Sequence, residues 1–357
     1  LAIVTRAFPP DVTSGRETVI YNLWRQAVQQ DDVTLISGWR YSPRYLPAGT
    51  LPIDQSSASR IINYARFFFT SALLIRRLRP DVVLSNAIEL GPVAVPAAVI
   101  VYDLNFGQAD AVRGKQQVRR ALVGWRVRRL DAVITISHAT EVQVQALGVV
   151  SNRIRVIHPG ADLARFCPAA ERRSESYVVI CPGRILPGKG QHVALAALGR
   201  VPPEVRRRVQ FVIVGYMQDG AYLSRLRELA VGLPVEFHTD VDDIAPFYRQ
   251  ADLVVFPTLM EEGFGLAAAE ALACGKPVIY SDYPAIREAT GGVGVPVPVG
   301  DVDALAHALT ALLKDRDRRD ALGRAGRAYA ETHYGWAGVY QRYQRVLERL
   351  VSSRQQG

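Results

Sequence analysis

At 357 residues the chain is long for one hydrophobic core, and with 49% hydrophobic and 22% charged residues it reads as an ordinary globular protein of two domains. No apolar run reaches the ~18 to 20 residues of a membrane helix and no signal peptide precedes the first strand, so cytoplasmic residence is the expectation. Cys167, Cys181 and Cys274 are scattered, with no CxxC pair or His-spaced partner, which argues against a zinc site or disulfide framework and for buried small hydrophobes. The net charge of +9 is uneven: residues 1–170 carry 20 Lys and Arg against 12 Asp and Glu, and residues 171–357 carry 23 against 22. A basic first half points to an anionic partner, a phosphorylated lipid surface or an acidic glycan ahead of nucleic acid.

In chain order, Leu1 to Phe8 is an apolar strand, broken by Pro9, Pro10 and Gly15. From Glu17 on, Val19, Leu23 and Ala27 share one helical face. Residues 32–38, 81–87, 97–104 and 131–137 are further short apolar strands with helical segments between most of them. After Cys167 a second series follows at 176–184, 209–215, 234–240, 251–257 and 276–282, with helices such as 222–230 and 244–249 interleaved. The tail from Asp303 is helical, and Tyr340, Tyr343, Val346, Leu347 and Leu350 form the apolar stripe of a last helix. This alternation predicts two consecutive α/β domains with doubly wound parallel sheets, joined by the polar stretch from Pro168 to Ser176.

The richest stretch is PTLMEEGFGLAAAEALACGKPV, 257–278. A strand end, a Gly-bearing turn with Glu261 and Glu262, and an alanine-rich helix closed by Gly275 and Pro277 place the turn at a helix N-terminus, which favours an anionic or oxygen-rich ligand. Glu270 lies eight residues after Glu262, and two helical turns predict both carboxylates on one side. Upstream, PGRILPGKG (182–190) also follows a strand and precedes a helix. From that loop Arg184 and Lys189 can converge on one phosphoryl group; Walker A spacing is absent.

Gly183-Arg184 with Lys189-Gly190, followed about 70 residues later by Glu262-Gly263-Phe264-Gly265-Leu266 and Glu270, resembles the retaining, nucleotide-sugar-dependent glycosyltransferases of family 4. PPDVTSGRETV, VIHPGADLARFCP and ACGKPVIYSD match as well, in the right order over nearly the whole chain. The resemblance implies the GT-B fold, two Rossmann-like domains facing a cleft, with the C-terminal helix crossing back to the first. On that pattern residues 1–168, together with the helix 338–357, are the acceptor-binding domain and 175–337 the nucleotide-sugar-binding domain. It implies transfer of a sugar from a nucleoside diphosphate donor of UDP or GDP type to an acceptor hydroxyl, with retention and without a metal or other cofactor.

Further roles are implied by the same resemblance. Arg184 and Lys189 neutralise the donor diphosphate. Glu262 and the amides of Gly263, Phe264 and Gly265 hold sugar hydroxyls and the leaving phosphate, and Glu270 takes the ribose. Gly15 admits close backbone approach to phosphate. The base is expected near 214–217 and 239–241, which brings in Gly215 and Val241. Family members commonly carry His-Asp at the end of the fourth N-terminal strand, where this chain has Tyr102-Asp103; a tyrosine donates a hydrogen bond but, with a reference pKa of ~10, is a poor base at neutral pH. The first loop reads Ser14-Gly15 where two glycines are usual. Asp103 reads equally as a helix cap, and His138 and His158 as structural.

Other readings stay open at this point: a catalytically silent sugar-nucleotide scaffold, motivated by Tyr102, and a GT-B epimerase. A dinucleotide oxidoreductase is disfavoured by the lack of GxGxxG in either first βα turn. Residues 113–130 hold seven basic residues and no acid around Val118, Leu122, Val123 and Trp125, and 60–78 repeats the theme. Such helices either lie on an anionic membrane at its inner face or pack their apolar sides inward and line an acceptor cleft for an anionic glycan or lipid-linked acceptor.

Overall fold

The computed structural model describes residues 1–9, 15–104, 113–169 and 176–355. The first-loop residues 10–14, Ser14 among them, the linker residues 170–175, and the side chains of Val118 and Arg119 lie outside what is described. The chain divides into two compact units, Leu1–Gly160 with Trp336–Gly357, and Ala161–Gly335. The first division falls ahead of the expected linker because 161–166 are tied to the second unit. Ala161 N–H donates to Tyr334 O at 2.9 Å, Arg165 pairs with Asp243 at 2.6 Å, and Phe166 O accepts from Arg327 Nη1 at 3.1 Å.

The first unit is a seven-stranded parallel sheet. Its strands are β1 (Ala2–Thr5), β2 (Thr34–Trp39), β3 (Leu51–Asp54), β4 (Val83–Ser85), β5 (Ala97–Val101), β6 (Ala132–Thr135) and β7 (Ile154–Val156), in the order β3-β2-β1-β4-β5-β6-β7. The central strands β1, β5 and β6 are buried on both faces, as a parallel sheet wrapped by helices requires. The covering helices are α1 (Gly15–Ala27), α2 (Arg60–Leu78), α3 (Arg113–Val127) and α4 (His138–Gln145).

The second unit is a six-stranded parallel sheet of β8 (Tyr177–Pro182), β9 (Val209–Gly215), β10 (Val235–Thr239), β11 (Leu253–Phe256), β12 (Val278–Ser281) and β13 (Val295–Val297), in the order β10-β9-β8-β11-β12-β13. Between them run α5 (Gln191–Arg200), α6 (Pro203–Arg206), α7 (Gly220–Leu229), α8 (Ala245–Gln250), α9 (Leu266–Ala273) and α10 (Pro284–Thr290), and α11 (Val302–Lys314) and α12 (Arg316–His333) follow. The last helix, α13 (Trp336–Gln355), returns to the first unit. There Tyr340, Tyr343 and Leu347 are buried, and Asp31 Oδ2 accepts from the Tyr340 hydroxyl and, at 3.3 Å, from Gln344 Nε2.

Three strands escape the sequence pattern: β3, β7 and β13. Each is an edge strand of three or four residues, two of them contain proline, and each has only one fully buried position. An edge strand with one wet side has no continuous apolar run to read. The addition of β3 also makes the strand before Tyr102-Asp103 the fifth of its unit, not the fourth.

Candidate active site

The strand order of the second sheet places the site. β8 and β11 are neighbours (Leu253 opposite Val179, Val254 opposite Ile180) although two further strands lie between them in sequence, and the order turns around there. Ligands of open parallel sheets bind outside the carboxyl ends of such a strand pair. The loop after β8 carries Gly183, Arg184, Lys189 and Gly190; the loop after β11 carries Thr258, Glu262 and Gly263.

These loops are joined by backbone and side chain. Lys189 ends a short 3-10 turn, Pro187–Lys189, capped by Gly190 at φ +70°, where a Cβ would stand 1.9 Å from Pro257 O. Leu259 N–H donates to Gly188 O at 2.9 Å. Lys189 Nζ forms an ion pair with Glu262 Oε1, the two side chains being 11% and 15% exposed, and lies 5.7 Å from the Phe256 ring centroid. Thr258, fully buried, places its hydroxyl 3.1 Å from Glu262 Oε1.

Arg184 is exposed and donates to Gln218 Oε1 at 3.0 Å, while its carbonyl accepts from Gln191 Nε2 at 2.9 Å. Each of the two cations of this loop has its own protein partner, Arg184 on Gln218 and Lys189 on Glu262. Behind the loop, Gly183 N–H donates to Val214 O at 3.0 Å, and Gly215, at φ +151°, sits so close that a Cβ would meet Gly183 O at 2.1 Å. Asp240, left-handed at φ +55°, donates its N–H to Gly215 O at 3.1 Å and accepts from Met217 N–H at 3.1 Å, with half-buried Val241 following.

The expected pairing of Glu262 and Glu270 by two helical turns needs correction. α9 begins at Leu266, capped by Gly265 at φ +107°, so half of the interval is turn and helical periodicity does not apply to it. Phe264 buries its ring edge-on against Tyr334, centroids 5.8 Å apart, anchoring the turn. Glu270 lies half-buried in α9. Burial raises its carboxyl to about 7, while the Tyr248 hydroxyl and the Arg165 guanidinium pull part of the way back.

In the first unit Gly15 is the first residue of α1. Arg16 Nη2 reaches Asp103 Oδ1 at 3.2 Å; the segment that Asp103 is expected to cap, residues 105–112, lies outside the described residues. Tyr102, just past β5, is buried and donates its hydroxyl to Arg16 O at 3.3 Å. Burial foremost, then the neighbouring Tyr343, raises that hydroxyl well above its ordinary value, so at neutral pH it is a donor and not a base. His138 Nδ1 lies 2.9 Å from Glu141 in the first turn of α4. Cys181 and Cys274 are buried and Cys167 is half-buried. Among the described residues no three His, Cys, Asp or Glu side chains are grouped as a metal site.

Sequence reasoning passed over Thr258, Gln191, Gln218 and Arg16. Thr258 and Gln191 adjoin the motifs, and a polar residue at the end of an apolar strand was the available signal; nothing in sequence links Gln218 or Arg16 to its partner.

Two family models match adjoining parts of the chain, Glycosyltransferase Family 4 over residues 13–165 and Glycosyl transferases group 1 over residues 167–329. A GDP-mannose-dependent alpha-(1-6)-phosphatidylinositol monomannoside mannosyltransferase of Mycolicibacterium smegmatis is 31% identical over 248 residues, covering 63% of this chain and 64% of that one. The Mycobacterium tuberculosis protein of the same description is 27% identical over 346 residues, 89% of this chain and 86% of that one. Among solved structures, sucrose-phosphate synthase from Thermosynechococcus elongatus superposes with a TM-score of 0.83 at 20% identity, covering 99% of both chains, which shows a shared fold. With both halves of the pattern matched in order and the two Rossmann-like sheets in place, the chain belongs to the family 4, group 1 glycosyltransferases of GT-B fold.

Proposed function

We propose that this chain is a metal-independent hexosyltransferase that moves a sugar from a nucleoside diphosphate donor to a hydroxyl of a glycolipid or other lipid-linked acceptor, with retention of configuration. The observation that carries this is the Lys189–Glu262 pair at the β8/β11 switch point, where a cation for phosphate and a carboxylate for sugar hydroxyls come from two strands that only the fold makes neighbours. The bond from the anomeric carbon to the diphosphate breaks, the acceptor oxygen bonds to the same face, and a leaving-phosphate oxygen takes the acceptor proton. Arg184 and Lys189 offset the charge gained by the leaving group; Glu262 and the Gly263–Gly265 backbone orient the sugar, and Glu270 receives the ribose. Gly183, Gly215 and Val241 shape the nucleotide side, and Gly15, Tyr102 and Asp103 are the residues of the first unit to which the family pattern gives a part.

Of UDP and GDP donors, GDP-mannose is the first to test, because both mycobacterial relatives are described as GDP-mannose-dependent. Purified chain with a panel of sugar nucleotides and extracted phospholipid acceptors should give product with the anomeric configuration kept. Binding without turnover, restored by Tyr102→His, would instead establish the silent-scaffold reading.

The acceptor side is a membrane surface on this proposal. Ile61, Ala65, Phe69 and Leu73 recur every fourth residue of α2 and all are exposed, Ile61 at 81% and Phe69 at 70%, while Phe67, Ser71 and Ile75 face the core. One helix thus carries two stripes, and only one is packed, so inward packing does not account for the exposed one. Beside it on α3, Leu122 and Trp125 are exposed, and the two helices border an apolar groove of about 410 Å³. Neither helix contains an acid, and Arg76, Arg77, Arg120 and Arg129 lie exposed on or next to them, against Glu89 at the groove and an Arg66 already paired with Asp54 at 2.6 Å, a net basic balance that suits anionic lipid. No described helix is long and apolar enough to cross a membrane. Phe69→Glu, at an exposed position, should weaken binding to anionic vesicles by about tenfold or more while leaving the melting temperature in place. Equal binding of wild type and variant, or of anionic and neutral vesicles, would remove the membrane from the proposal.

A further inference from the structure

We infer that Thr258 is a positioning residue that holds the Glu262 carboxylate for the sugar, an inference that rests on the donor-site reading above. Thr258 follows Pro257 at the end of β11 and is fully buried, so water does not serve its hydroxyl. Three acceptors surround that one proton, each at 3.1 Å: Glu262 Oε1, Gly188 O and Met260 O. Gly188 O already accepts from Leu259 N–H at 2.9 Å. The three contacts are equal in length, and at equal length the bond to the ionised carboxylate is the stronger one, because the acceptor carries a full charge. Both protein bonds to Glu262, from Lys189 and from Thr258, fall on Oε1, and Oε2 takes no protein partner among the described residues.

This arrangement has a consequence for the loaded site. A donor diphosphate competes with Glu262 for the Lys189 ammonium, and the carboxylate that loses its cation keeps the buried Thr258 hydroxyl. Thr258 therefore fixes the carboxylate's rotamer when the phosphate draws Lys189 away, with Oε2 left for a sugar hydroxyl. Its hydroxyl also spans both loops of the switch point, since Gly188 lies in the β8 loop and Glu262 in the β11 loop.

The test uses Thr258→Val, which keeps the shape and removes the hydroxyl, and Thr258→Ser, which keeps the hydroxyl. Transfer rate, donor affinity and affinity for the sugar-free nucleoside diphosphate are measured for both, and donor affinity again with Glu262→Ala as background. Thr258→Val should lower kcat/KM for transfer by about tenfold to thirtyfold and leave nucleoside diphosphate affinity within about threefold, with Thr258→Ser returning to within about threefold of wild type. In the Glu262→Ala background Thr258→Val should change donor affinity by less than about twofold, because the partner it acts through is gone. Wild-type transfer by Thr258→Val, equal impairment of the Ser and Val variants, or an undiminished Val effect in the Glu262→Ala background would each overturn the inference. A wild-type chain that binds no nucleoside diphosphate would overturn the donor-site reading, and this inference with it.

Discussion

Lys189→Ala is expected to reduce sugar transfer by about 10² to 10³-fold, the usual cost of removing one preorganised group that meets developing negative charge. Lys189 sits in a turn whose course leaves no room for adjustment: Gly190 next to it is left-handed and backed against Pro257 O. Its ammonium is nearly enclosed and is paired with Glu262, so the cation is already desolvated and placed before donor binds. Removal also leaves the Glu262 carboxylate, 15% exposed, with the Thr258 hydroxyl as its protein partner. A loss of about 1 to 3 kcal/mol in unfolding free energy should accompany the rate effect, because a charge stripped of its partner in a low-dielectric site carries a desolvation cost. Steady-state kinetics and denaturant melts check both expectations. Transfer within about threefold of wild type would show that phosphate charge is met elsewhere.

Glu270 gives the second large effect, and it runs with pH. Burial raises its carboxyl to about 7, above the ordinary glutamate value, so the folded chain holds a proton that the unfolded chain has released. Below the ordinary glutamate range both states are protonated and the group is neutral to stability. As pH rises from there to about 7 the unfolded state ionises first, and the folded state loses stability relative to it. The loss should be on the order of 2 kcal/mol for this half-buried group and absent from Glu270→Gln, which is then the more stable protein at pH 8. Donor binding should run the other way. Ribose hydroxyls donate to the carboxylate and favour its ionised form, so donor affinity should rise about tenfold between pH 6 and pH 8 in the wild type and stay flat in Glu270→Gln. Melting curves and calorimetric titrations across that range measure both; a wild type as flat as the Gln variant would detach Glu270 from the donor.

Several elements were plain in the residues themselves. The long apolar runs of β5, β8 and β11 are central strands buried on both faces, and the basic, apolar stretch 60–78 is α2, whose N-terminus the structure shows capped by Ser59. Local chemistry explains Gly265 and Gly275 as well, both left-handed, at either end of α9. The edge strands were not legible, since pairing on one side only does not demand a hydrophobic pattern. Nor was the exposure of the second stripe on α2: periodicity places Phe69 and Phe67 on different faces but does not say which one has a neighbour.

The sequence by itself determined the two α/β halves, the order of the two loop motifs and the residue types able to meet phosphate and sugar, because strand, turn and cap preferences act over a few neighbouring residues. Tertiary structure alone decided that β11 lies beside β8, and with that the meeting of Lys189, Thr258 and Glu262 across some 70 residues of chain. It also set Gln218 beside Arg184 and buried Glu270 enough to raise its ionisation toward neutral pH. Strand order, burial and the partner each charge finds depend on contacts remote in sequence, and no local pattern carries them.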